Sequence, residues 1–298
     1  MKILVLGKTG MLGHVVYNYF QEKGHDVIGT TTKFSDFQYD AYKDMRSIEK
    51  ILEEEKPDVV INCIGILNKV CEDNKPLAVK LNSLLPHYLD SISEKYNYYF
   101  VHVSTDCVFE GTEGKYDEDS FPDAKSFYGR SKALGEVRND KNVTLRTSIV
   151  GPDTNPKGIG LFQWFMNQEG QVGGYSKVIW TGVTTIELAK QIEVAINNKL
   201  TGLQHVVNND FIPKKDLLEL FKKHFNKDIK IEINDKVVSE KTLVRTDKSY
   251  SFDVPSYDQM VKEMQEWVIN HPEIYSDIES EIDKNESNDN SRNKTRNN

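Results

Sequence analysis

Tyr128 and Lys132 stand four residues apart in Tyr128-Gly129-Arg130-Ser131-Lys132. That spacing puts both side chains on one face of a helix. A free phenol titrates near pH ~10, too high for easy proton exchange at neutrality. An ammonium one turn away stabilises phenolate and is expected to lower that value. Upstream, Ser104-Thr105 close the strand-like run Tyr99–Val103. Open α/β sheets bind ligands at the carboxyl ends of their strands. A hydroxyl there, from Thr105 or Ser104, can hold a carbonyl in line with Tyr128. A hydroxyl and a Tyr/Lys pair are the protein's share of a hydride-transfer reaction.

The hydride donor needs its own seat. Gly7-Lys8-Thr9-Gly10-Met11-Leu12-Gly13 lies between the apolar run Ile3–Leu6 and the helical stripe Leu12, Val15, Val16, Tyr19 and Phe20. Glycines between a strand and a helix let backbone N–H groups approach a pyrophosphate, and the helix N-terminus favours the anion. Gly7-Lys8-Thr9 imitates the end of a P-loop, but that motif needs a glycine five residues earlier, where Lys2 stands. A dinucleotide turn is the better match. After the second strand the chain reads Thr30-Thr31-Thr32-Lys33, with no carboxylate for the ribose hydroxyls. Thr31 and Lys33 are therefore expected to favour NADPH, with NADH as the second choice.

These groups need a scaffold that joins strand ends, a glycine turn and a helix face. Short apolar runs at Ile3–Leu6, Asp26–Thr30, Val59–Cys63, Tyr99–Val103 and Val143–Leu145 alternate with helical stripes. One stripe is Ile48, Ile51 and Leu52. A longer one runs Leu77, Leu81, Leu84, Leu85, Tyr88, Leu89 and Ile92. Repeated β-α-β units make an α/β, Rossmann-like, doubly wound parallel sheet. Residues 1–150 are expected to form this NAD(P)-binding domain. Beyond Gly151–Lys157, a Gly/Pro/Asp/Asn loop, helices are expected near Leu161–Met166, Thr184–Ile196, Lys214–Phe225 and Ser256–Ile269. Strands are expected at Val178–Trp180, Leu203–Val207 and Ile229–Ile233. The expected division returns 181–208 to the first domain and gives 151–180 and 209–275 to a smaller C-terminal substrate-binding lobe. The polar stretch 276–298 should be a disordered tail.

The 298 residues carry a net charge of −8 with both signs interleaved, which argues against a nucleic-acid face. No apolar run is long enough to span a membrane. Cys63, Cys71 and Cys107 make no CxxC pair, the histidines show no metal-ligand spacing, and no metal site is expected. An odd cysteine count without a secretion signal suits the cytoplasm. His102 alternates with Val101 and Val103, which assigns it a structural place in its strand.

The chain resembles the extended short-chain dehydrogenase/reductases, and within them the dTDP-4-dehydrorhamnose reductases. The resemblance rests on LGKTGMLG (Leu6–Gly13), KPDVVINCIG (Lys56–Gly65), VSTDCVFEGTEGKYDEDS (Val103–Ser120), FYGRSKALGE (Phe127–Glu136) and LRTSIVGP (Leu145–Pro152), and covers about residues 1–270. It implies a catalytic triad of Thr105, Tyr128 and Lys132, with Lys132 also holding the nicotinamide ribose. It places Asn62, Cys63, Ile64 and Gly65 beside the cofactor, and Ser104 near the nicotinamide. The implied reaction is reduction of the 4-keto group of a nucleotide-linked 6-deoxy sugar. Cys107 replaces the family's usual aromatic after STD, and Gly182-Val183-Thr184 replaces its glycine-proline-threonine turn. These departures leave a dTDP- or UDP-linked substrate equally open. Trp164, Lys177, Trp180 and Arg245 are the expected substrate contacts, although Phe162, Trp164 and Phe165 fit a helix core as well. Part of the family forms homodimers. Two other readings stay open: an epimerase of the same fold, and a non-catalytic NADP-binding regulatory subunit like the methionine adenosyltransferase beta subunit.

Overall fold

The computed structural model describes residues 1–33, 37–208, 210–247, 250–276 and 278. Its elements in chain order are β1 (Lys2–Leu6), α1 (Gly13–Glu22), β2 (Asp26–Thr30), α2 (Ile48–Glu55), β3 (Val59–Asn62), α3 (Asn68–Asp73), α4 (Lys75–Ala78) and α5 (Leu85–Tyr96). There follow β4 (Tyr99–Thr105), α6 (Phe127–Ala133), β5 (Val143–Thr147), β6 (Ile149–Val150), α7 (Leu161–Met166), β7 (Gly170–Trp180), β8 (Val183–Thr184) and α8 (Thr185–Asn197). The chain continues through β9 (Gly202–His205), β10 (Ile212–Pro213), α9 (Lys214–His224), β11 (Ile229–Glu240) and α10 (Tyr257–Asn270).

Six strands form one parallel sheet in the order β2-β1-β3-β4-β5-β9. Side chains alternate across a strand, and the core divides accordingly. Ile3, Val5, Val59 and Ile61 enter one apolar cluster with α1, α8 and α10, while Leu4, Leu6 and Val60 enter another with α2 and α5. Both faces are covered, so the strands read as continuous apolar runs rather than alternating ones. A smaller sheet, β10-β7-β11, pairs β11 parallel and β10 antiparallel to β7.

The helices and strands expected from periodicity are all present, with three differences. β7 and β11 are far longer than the apolar cores Val178–Trp180 and Ile229–Ile233, because polar and glycine residues extend both strands along their mutual register. The long stripe from Leu77 is not one helix. α4 and α5 are joined through a wide π-type turn at Val79–Leu84, and Leu84 is exposed. Buried Asn82 explains the interruption: its amide donates to the Ile66 carbonyl (3.0 Å) and the Ser131 hydroxyl (3.1 Å), and accepts from the Ile66 N–H (3.0 Å). The turn thereby clamps the loop after β3 to α6. Finally, Ile278 lies within the segment expected to be a polar tail, yet it is buried in the main core beside Tyr275. Residues 277 and 279–298 of that segment lie outside the described residues.

Candidate active site

The order in which the chain adds strands reverses between β1 and β3, and a crevice at such a switch point is where doubly wound folds take dinucleotides. The turn after β1 is built for close approach. A Cβ on Gly13 would lie 2.1 Å from the Gly7 carbonyl oxygen, so only glycine lets α1 start against this turn. Gly7, Thr9 and Gly10 line a pocket with Thr30, Thr31, Thr32, Cys63, Ile64 and Gly65. Met11, Leu12 and Asn62 line the adjoining cleft, with Cys63, Ile64 and Gly65 as the shared wall.

Beyond β2 the structure modifies the sequence reading. Thr31 reaches the pocket, but its hydroxyl accepts from the Lys33 N–H (2.9 Å) and donates to the Lys33 carbonyl (3.0 Å). Lys33 is exposed and does not line the pocket. A bridge between Thr31 and Gln38 instead folds the following segment back, bringing Tyr39, Asp40 and Tyr42 to the wall. A carboxylate is therefore present after all, eight residues beyond the last of these threonines. Asp40 accepts from the N–H groups of Tyr42 (3.1 Å) and Lys43 (3.2 Å).

The main cleft brings Thr105, Tyr128 and Lys132 together. Thr105 ends β4, and Ser126 caps α6 by accepting from the Gly129 N–H at 3.1 Å. Gly129 presses on the turn after Thr105: a Cβ there would lie 2.1 Å from the Cys107 carbonyl oxygen. This contact holds the helix that carries Tyr128 and Lys132 against the strand end. The Thr105 hydroxyl accepts from the Cys107 N–H (3.1 Å), donates to Asp106 (3.2 Å) and lines the same cleft as the Tyr128 phenol.

The electrostatics differ from the sequence expectation. Burial pushes the Tyr128 phenol above its ordinary range, with the neighbouring Cys107 and Asp106 adding in the same direction. Lys132 does not turn its amine on the phenol. Nζ donates to the Val103 carbonyl at 2.8 Å and lies 3.5 Å from His102 Nε2. Burial lowers the amine to about 8, against an upward pull from Glu136. In the protein alone the phenol thus keeps its proton, the form an acid catalyst needs. Burial also raises Asp106, whose carboxyl borders the cleft, against the charges of Lys214 and Lys241.

The remaining expected residues divide. Ser104 borders the cleft, but its hydroxyl donates to Glu136 at 2.7 Å. Trp180 lines the cleft, whereas Trp164, Lys177 and Arg245 do not. Trp164 is exposed, and Phe162 and Phe165 of the same helix are core. Lys177 pairs with Asp235 at 3.8 Å. Arg245 lies over the rings of Phe252 (4.5 Å) and Tyr250 (5.6 Å). Sequence reasoning missed Lys214, which enters the cleft at the start of α9. Nothing in the sequence separates it from Lys215, which pairs with Asp216 and Glu219. It also missed Asn82, whose signal was a lone amide within a stripe of leucines.

Comparison with known proteins agrees with this architecture. The family model for the RmlD substrate binding domain matches residues 1–169. Among curated proteins, a probable low-salt glycan biosynthesis reductase of Haloferax volcanii is 36% identical over 162 residues, 50% of this chain and 54% of that protein. The methionine adenosyltransferase 2 subunit beta of Xenopus laevis is 30% identical over 159 residues, 51% of this chain and 48% of that protein. The chain thus spans about half the length of these relatives. Among solved structures, a dTDP-4-dehydrorhamnose reductase of Clostridium acetobutylicum superposes with a TM-score of 0.76 at 22% identity, over 90% of this chain and 100% of that one. The Bacillus anthracis enzyme of that name, in complex with NADP, gives 0.75 at 19% identity over 88% and 98%. With the family model spanning more than half of its length, this chain belongs to the RmlD substrate binding domain family.

Proposed function

We propose that this protein is an NAD(P)H-dependent reductase acting on the 4-keto group of a nucleotide-linked 4-keto-6-deoxy sugar, in the supply of sugars for cell-surface polysaccharide. The observation that carries this reading is the meeting of Thr105, Tyr128 and Lys132 in one cleft, directly beside the glycine turn. The bound cofactor supplies the hydride; the chain supplies alignment and charge placement. The Gly7–Gly13 turn takes the pyrophosphate, Thr31 and Thr32 face the adenosine end, and NADPH is the favoured form, with NADH as the alternative. Tyr128 gives its proton to the carbonyl oxygen while Thr105 orients that oxygen. Lys132 holds the nicotinamide ribose. Trp180 and Lys214 contact the substrate, the lysine facing its diphosphate. Segments 151–180 and 209–275 form the substrate lobe.

The match to a methionine adenosyltransferase beta subunit favours one other reading, a regulatory subunit that binds NADP without catalysis. Retention of all three groups of the triad supports the reductase. The deciding experiment measures NADPH and NADH consumption with dTDP- and UDP-linked 4-keto-6-deoxy sugars, each with and without a 3,5-epimerase. Turnover reduced at C4, falling about 10²–10⁴-fold in Tyr128→Phe while cofactor binding survives, is the expected result. Cofactor binding with no oxidation across the panel would overturn the reductase in favour of the regulatory subunit.

A further inference from the structure

Behind Lys132 lies a buried chain that the proposed reaction does not use. His102, fully buried in β4, sits between Asn62 at the end of β3 and the amine of Lys132. The orientation of Asn62 is fixed from its other side, because its Oδ1 accepts the Ile64 N–H at 3.1 Å. Its amide nitrogen must therefore face His102 Nδ1, 3.2 Å away. A side-chain amide nitrogen has only protons to offer, so Nδ1 must be the acceptor and a neutral ring carries its proton on Nε2. That proton points toward Lys132 Nζ at 3.5 Å. An ammonium has no lone pair to receive it, whereas a neutral amine has one.

We propose that His102 is a positioning residue that sets the proton affinity of Lys132: Asn62 locks the ring as the Nε2–H tautomer, and that N–H opposes the ammonium and favours the free amine. The lock does not conduct protons, since the amide of Asn62 cannot relay one and His102 has no contact with solvent. The other titratable groups acting on Lys132 are Glu136, beyond α6, and the thiols of Cys63 and Cys71, all of which favour the ammonium. The charged or titratable groups facing His102 are Lys132 and His87 of α5, both of which favour a neutral ring. Burial opposes the ammonium, and the proposed Nε2–H of His102, 3.5 Å from Nζ, acts in the same direction. The inference concerns the protein without cofactor and does not depend on which sugar, if any, it reduces.

Nitrogen-15 NMR of histidine- and lysine-labelled full-length protein tests it without cofactor or substrate. His102 is expected as the Nε2–H tautomer across the folded pH range, with its signals assigned by their loss in His102→Phe. In that variant the Lys132 titration is expected to move upward by about tenfold in proton affinity. In Asn62→Asp the ring is expected to invert to Nδ1–H, turning the Nε2 lone pair toward the amine and raising the Lys132 titration again. An Nδ1–H ring in the unsubstituted protein overturns the proposal. So does a Lys132 titration unmoved in whichever variant folds. Should neither variant fold, the tautomer of the unsubstituted protein decides the matter alone.

Discussion

A single buried amine carries an energetic cost that its removal should reveal. The Lys132 amine is lowered from 10.5 to about 8 by burial, and the lowering disfavours the folded state by an amount on the order of 3 kcal/mol wherever both states are charged. Between pH 8 and 10.5 the unfolded chain holds more protons than the folded one, so stability rises with pH across that window. The penalty is complete below it. Replacing Lys132 by Met should therefore stabilise the protein at pH 7, by about 2 kcal/mol after allowing ~1 for the lost bond to Val103. Thermal unfolding of both forms at pH 7 and pH 10.5 checks this. The gain should be a rise of several degrees at the lower pH and should largely vanish at the higher one. A variant less stable than its parent at pH 7 would show that the amine contributes more through its bonds than it costs in desolvation.

Between β4, β5 and β9, polar contacts hold the strand end that carries Thr105. Fully buried Arg146 of β5 reaches Glu136 through Nε at 2.7 Å, Glu136 accepts from Ser104, and His205 of β9 faces Arg146 Nη1 at 3.0 Å. An ion pair this deep is costly to break singly, because the survivor is left charged and unpaired. Arg146→Met or Glu136→Gln alone should lose about 3–5 kcal/mol in urea unfolding, and the double substitution should recover most of it. Equal losses in the single and double variants would mean that packing, not charge, is what Arg146 contributes. The elements themselves were legible because apolar periodicity records which face is buried. Glycine turns were legible because their spacing reflects steric need. Arg146 and Asn82 were not, since a buried polar side chain is written in the same letters as an exposed one until its partners from distant strands are known. The orientation of Ser104 and Lys132 was hidden for the same reason: each turns toward a neighbour brought in by tertiary pairing. Asp40 was missed because the segment after β2 doubles back on Thr31, a contact with no local signature.

At the scale of the molecule, the nucleotide-binding sheet is not closed by the first half of the chain. β5 takes β9 as its neighbour, and α8 covers the face shared with α1. A fragment ending at Val150 should therefore lack a cooperative unfolding transition by circular dichroism and fail to bind NADPH, although it contains the glycine turn and the triad. A fragment that melts sharply and binds cofactor would show that the first 150 residues are self-sufficient. The same strand order has a consequence during synthesis. β5 leaves the ribosome with one edge unpaired, and its neighbour is not made until the following strands and helices have been translated. At about 5–20 residues per second that interval is on the order of several seconds. Through it the nascent chain displays an open parallel edge beside half-covered apolar strands, a natural point for a chaperone to engage.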